Sequence, residues 1–234
     1  MVRSKLSLLL KEIKHYIGIP YARNVWKNGT LESEAVFGGK ANWSELVYAT
    51  KCAAALEKID LNALTPAQVY NLQKRHNIGI DCSGLTYHLS DYWDQLHGGA
   101  GILFKVVSNV TAQGSLGPRS LSANQLTLPH NSLLITDLSL VRTGDFIRMD
   151  KGRHIVFVTQ KLPTKIIYLN SSNRTTTRGV HFGQITLTNP NFDLTHQLWS
   201  DTTLDLKPYT SLFFPKSGDG VYRLNCFSDP TFLQ

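Results

Sequence analysis

The chain has only three cysteines in 234 residues: Cys52, Cys82 and Cys226. An odd number excludes a complete disulfide framework, and no Cys-X-X-Cys pair is present to suggest zinc. A Cys52–Cys226 pair stays open; the simpler expectation is a reduced chain with one reactive thiol and two packed ones. Long apolar runs are also missing. Leu8-Leu9-Leu10, set between Lys5 and Lys11, is too short for a signal-peptide core, and nothing approaches transmembrane length. The expected location is the cytoplasm, or the exterior by a non-classical route. The formal net charge of +7 suits an anionic partner, yet there is no Lys/Arg run and no nucleic-acid motif, so no nucleic acid is expected. The histidines show no ligand-type spacing, so neither metal nor other cofactor is expected. No repeat, low-complexity tract or linker divides the chain. One domain over 1–234 is the expected organisation, and a hydrophobic share of 42% is enough for a sizeable core.

The first third reads as helical. Leu6, Leu9, Leu10, Ile13 and Ile17 mark one inward face of an N-terminal helix, which Gly18-Ile19-Pro20-Tyr21 ends. Residues 22–40 read as irregular, with Gly29 and Gly38-Gly39 as breakers. Asn42 and Glu45 suggest a capping box for a second helix running to about Ile59. Thr65-Pro66 starts a third, ending near His76-Asn77. A fourth begins at Cys82, with Leu85, Leu89, Tyr92, Trp93 and Leu96 on one face and Gly98-Gly99 as its stop. From about Ala100 to Leu138 the glycines, serines and asparagines suggest a long loop-rich insertion. Strands then follow at Asp145–Met149, His154–Gln160, Lys165–Asn170 and Val180–Thr188, with one more at Val221–Cys226. Helices first and consecutive strands afterwards imply an α+β class with a mostly antiparallel sheet.

The stretch Ile80-Asp81-Cys82-Ser83-Gly84-Leu85 carries the chemistry. Asp81 is placed to cap the fourth helix, which puts Cys82 in its first turn. Unpaired N–H groups and the positive helix end favour the thiolate there, the attacking form of sulfur. A cysteine nucleophile needs a base. His154 is the best placed histidine, opening the strand His154-Ile155-Val156-Phe157-Val158 just after the turn Asp150-Lys151-Gly152-Arg153. Asn170 closes the next strand, and antiparallel pairing across the Leu162-Pro163 turn can return it beside His154. The expected arrangement has Asn170 accepting from Nδ1 of His154, with Nε2 turned toward sulfur. His181 is a weaker rival for that orienting role.

Three segments together resemble the NlpC-type cysteine peptidases, bacterial and phage cell-wall hydrolases of papain-like fold. They are Asp81-Cys82-Ser83-Gly84-Leu85, Thr143-Gly144-Asp145-Phe146-Ile147 and His154-Ile155-Val156-Phe157-Val158. The resemblance spans about Ile17 to Leu224. It implies a papain-like domain with N-terminal helices on the sheet, a helical insertion at about 40–76 and a loop insertion at about 100–138. It implies a cysteine hydrolase with Cys82, His154 and Asn170 as its catalytic residues. The reaction would be amide hydrolysis in peptidoglycan stem peptides, through a thioester acyl-enzyme. Tyr21, in Ile19-Pro20-Tyr21, resembles a tyrosine that lines the family's active site, with Tyr70 as the alternative. Asp81 and Ser83 would contact a free amino terminus of the muropeptide substrate. Arg153, Arg174 and Arg178 flank the site as candidates for substrate carboxylates. Phage lysis or a secretion system would supply the export route. The family's Gly-Gly pair soon after Pro-Tyr is absent: Ala22-Arg23-Asn24 follows instead, and Gly38-Gly39 comes late. Two other readings stay open. One is the same chemistry on a non-wall protein or lipid, as a hydrolase, deamidase or acyltransferase; the other is a wall-binding module without catalysis.

Overall fold

The computed structural model describes residues 4–106, 121–189, 192–229 and 232. Helices α1 (Lys5–Lys14), α2 (Trp43–Leu56), α3 (Pro66–Arg75) and α4 (Cys82–Leu96) come first. The sheet strands follow: β3 (Ser132–Ile135), β4 (Phe146–Met149), β5 (His154–Leu162), β6 (Lys165–Ser172), β7 (Gly179–Thr186), β8 (Leu198–Trp199) and β9 (Gly220–Leu224). They form one antiparallel sheet in the order β3-β9-β4-β5-β6-β7-β8. The α+β class with N-terminal helices and a mostly antiparallel sheet is therefore the architecture of the protein.

The helix starts form where local chemistry directs them. Asn42 and Glu45 make a reciprocal capping box for α2, and Thr65 and Gln68 make one for α3 with Pro66 in its first turn. Strand alternation then sorts the core into two layers. Ile155 and Phe157 of β5 pack with Phe146, Leu169 and the helical residues Leu9, Ile13, Leu46, Leu72, Leu85 and Leu89. Val156 and Val158 face the other way, onto Ile147, Ile166, Tyr168, Tyr209 and Phe213. The sheet is thus covered on both faces. Each fully buried Leu, Ile or Phe contributes about 1.5–3 kcal/mol by leaving water.

Several sequence expectations need correction. Ile17 is 43% exposed because α1 ends at Lys14, beyond which helical spacing no longer applies; Tyr16 is buried in its place. The irregular stretch 22–40 holds a hairpin of β1 (Val25–Lys27) and β2 (Thr30–Ser33). Its residues are mostly exposed, so no inward alternation marked it. The expected loop insertion at 100–138 is only partly a loop. It contains the short helix α5 (Ala123–Leu126) and edge strand β3, which pairs with the distant β9. Gly114 and Gly117-Pro118 of that stretch lie outside the described residues. All three cysteines are free: Cys52 exposed, Cys226 half-buried and Cys82 buried. No helix among the described residues is long and apolar enough to cross a membrane.

Candidate active site

Cys82 is the first residue of α4, and Asp81 is its N-cap: Asp81 Oδ1 accepts the Gly84 N–H at 2.7 Å. The chain enters this helix through a narrow passage. Ile80 N–H donates to Pro20 O at 3.0 Å and Asp81 N–H to Gly39 O at 2.8 Å, while Ser171 Oγ of β6 donates to Ile80 O at 2.6 Å. These bonds tie the start of α4 to the end of β6. Gly84 is required by the same crowding, since a Cβ there would stand 2.7 Å from Gly39 O.

His154 opens β5 and Asn170 lies near the end of β6. The antiparallel pair brings them together, with His154 Nε2 2.9 Å from Asn170 Oδ1. This corrects the expected ring orientation: Nε2, not Nδ1, meets the asparagine. The structural reason is the strand face. His154 alternates with Ile155, so it lies on the layer of Val156 and Tyr209, where Asn170 also falls. Cys82 reaches the same end of the sheet from the helical layer, and the Ile155 and Ser83 backbone amides lie near enough to favour its thiolate. Among the described residues the sulfur makes no direct hydrogen bond to the His154 ring. Catalytic pairs often close only when substrate is bound.

The electrostatics overturn the expected resting thiolate. Burial, then the neighbouring Asp81 carboxylate, push the Cys82 thiol up to about 11; Lys40 and the Ile155 and Ser83 amides oppose them without prevailing. Burial likewise lowers the His154 ring to about 4, although the bond to Asn170 opposes it. Desolvation outweighs the helix end here, and the resting pair is a neutral thiol beside a neutral imidazole.

Asp81 and Ser83 are both engaged by Lys40, a residue the sequence reading did not single out. Lys40 Nζ donates to Asp81 Oδ1 at 2.7 Å and also to Ser83 Oγ. Its side chain is only 10% exposed. The lysine sits beside a cavity of about 620 Å³ lined by Asn24, Glu34 and the loop 35–38. Tyr21 is half-buried; burial and then the charges of Cys82 and Asp81 raise its phenol. Burial raises the Tyr70 phenol and Arg178 opposes it, with no contribution from Cys82, whereas Tyr21 and Tyr209 both feel the Cys82 charge. Arg153 and Arg174 both bind the buried Asp150, Arg153 Nη2 at 2.7 Å. Burial alone would raise that carboxyl, but the two arginines together hold it below its usual range. Arg178 is exposed.

Behind Asn170 lies a buried polar cluster that sequence reasoning missed. Asp201 Oδ2 accepts from Tyr168 Oη at 2.9 Å, Asn170 Nδ2 at 3.1 Å and His181 Nε2 at 3.2 Å. Asn170 Nδ2 also reaches Tyr209 Oη at 3.2 Å. His181 therefore bonds Asp201 and Gly179 O rather than His154. Asp201 lies in irregular chain and Tyr209 opens the short 3-10 helix Tyr209–Leu212, both too short of pattern to be marked in the sequence. Among the described residues no group of three or more His, Cys, Asp or Glu side chains is arranged to hold a metal ion.

No family model matches this chain, and neither does any curated protein or solved structure. The functional reading therefore rests on the residues themselves.

Proposed function

We propose that the protein is a cysteine hydrolase of NlpC-like, papain-type design that cleaves amide bonds in peptidoglycan stem peptides. The carrying observation is the meeting of three elements: a cysteine in the first turn of α4, the Ile155 amide of β5 near its sulfur, and a His154–Asn170 pair beginning one residue away. With Nε2 held by Asn170, Nδ1 of His154 is the nitrogen left to act as base. It takes the Cys82 proton as sulfur attacks the substrate carbonyl, forming a C–S bond. The Cys82 backbone N–H, which has no partner one turn earlier, donates to the oxyanion. The imidazolium then protonates the departing amine as the C–N bond breaks. Water, deprotonated by His154, cleaves the thioester, releasing the acid and restoring the thiol. Acid–base catalysis of this kind contributes about 10²–10⁴-fold.

A second reading keeps the chemistry and changes the substrate. Lys40 already occupies Asp81 and Ser83, the pair assigned above to a substrate's free amino terminus. That favours an acyl donor without such an amine, from the wall or from a protein or lipid. Incubation with purified peptidoglycan, with fragments resolved by mass, tests the first reading. New amino and carboxyl ends are expected, and none with Cys82→Ala. Stem peptides with blocked and free amino termini test the need for that amine: equal cleavage supports Lys40 as a built-in substitute. Absence of any new ends with intact protein would overturn the wall assignment.

A further inference from the structure

A histidine with one ring nitrogen on an asparagine has a tautomer only as fixed as the asparagine's own orientation. The Asn170 amide can in principle turn end for end, presenting oxygen or NH₂ to His154 with almost no change in shape. Its other neighbours decide. Tyr209 Oη, 3.2 Å from Nδ2, both donates and accepts, so it tolerates either orientation. Asp201 Oδ2, 3.1 Å from Nδ2, only accepts when ionised. Turned over, the amide would set its oxygen against a carboxylate oxygen in a site where Asn170 is fully buried. Burial raises the Asp201 carboxyl, but its bonds to His181, Asn170 and Tyr168 together hold it below the usual range, so it stays ionised at neutral pH.

We infer that Asp201 is a positioning residue that fixes the tautomer of His154 through the Asn170 amide. The carboxylate requires NH₂ from Asn170, which turns Oδ1 toward His154; an oxygen acceptor requires N–H at Nε2, which leaves Nδ1 unprotonated. Tyr168 and His181, the other donors to Asp201 Oδ2, hold the carboxylate in place. The consequence for catalysis rests on the reading above, because an unprotonated Nδ1 is what a cysteine base needs. The tautomer itself does not depend on that reading.

Ring proton–nitrogen NMR correlations of histidine-labelled protein at neutral pH test this, with His154 assigned by the signal lost in His154→Gln. Wild type is expected to show N–H at Nε2 alone. Asp201→Asn, whose amide both donates and accepts, is expected to add the Nδ1–H form. Tyr209→Phe, which removes the indifferent partner, should leave the wild-type tautomer. Alkylation of Cys82 should slow by about tenfold in Asp201→Asn, the amount a misplaced base proton makes reasonable. Asp201→Ser, which leaves room for water, serves as the second variant should Asp201→Asn not fold. An Nδ1–H tautomer in wild type, or an unchanged tautomer in both Asp201 variants, overturns the inference. A tautomer shift in Tyr209→Phe equal to that in Asp201→Asn overturns it too. If the tautomer moves as expected but His154→Gln leaves Cys82 alkylation unchanged, the positioning role stands and the hydrolase reading fails.

Discussion

On the helical side of the site, four consecutive residues, Asp81 to Gly84, supply the cap, the thiol and the close approach to Gly39, with Lys40 joined to them. On the sheet side, His154, Asn170, His181, Asp201 and Tyr209 come from separate strands and connections and form one buried network. The helical side gathers its groups on one helix start, braced by Pro20, Gly39, Lys40 and Ser171 from distant parts of the chain; the sheet side depends on strand register and a carboxylate hub. A local site tolerates changes that leave its one helix start intact. A distributed one is sensitive to any residue that sets the register or the hub.

The largest expected effect breaks the sheet side at its working end. His154→Ala should slow amide hydrolysis by about 10²–10⁴-fold, measured as initial rate on wall fragments. Ser83→Ala, on the helical side, should stay within about tenfold, since it removes one partner of Lys40 and leaves the cap. A similar loss for both would erase the distinction between the two sides.

Packing under the sheet side comes next. Phe157 is fully buried three residues along β5 from His154, on the helical face of the sheet, and Phe157→Ala should cost about 3–5 kcal/mol in denaturant unfolding. A cost below about 1 kcal/mol would mean the strand is not locked by its core.

Acid should then weaken the sheet side specifically. The His154 ring is held neutral down to about 4, against an ordinary value of 6.5, so the unfolded chain binds the extra proton between those values. Stability therefore falls as pH drops through that window, on the order of 2 kcal/mol after allowing for partial exposure. His154→Gln should flatten that slope in urea melts. Cys82 acts at the other end: its raised thiol means the unfolded chain loses a proton first, so stability falls as pH rises from 9 toward about 11.

The smallest effect sharpens the helical side. Lys40→Met and Asp81→Asn, alone and combined, form a double-mutant cycle whose coupling energy should be about 1 kcal/mol. Near-zero coupling would make the lysine a bystander, and Cys82 alkylation in Lys40→Met would then match wild type.

The residues carrying short-range signals were legible beforehand. Asp81 as cap, the capping box of α2, the Thr65-Pro66 start of α3, and the β-branched runs of β5 and β6 are all written within a few residues of one another, and the structure has these elements. Strand β3 was not legible, because its burial depends on β9, nearly ninety residues later in the chain. The exposed β1–β2 hairpin lacked alternation for the opposite reason. The thiolate expectation failed because helix ends act locally, whereas the burial that opposes them is a property of the assembled layers.

By itself, then, the order of residues determined the class of elements, their starts, and that Cys82 would head a helix while His154 would open a strand. Only the assembled structure decided which ring nitrogen Asn170 holds, that Lys40 covers Asp81 and Ser83, and that Asp201 stands behind the asparagine. Periodicity and capping are encoded over one or two turns of chain. The direction of a buried hydrogen bond and the charge state of a desolvated group depend on neighbours that only folding brings together.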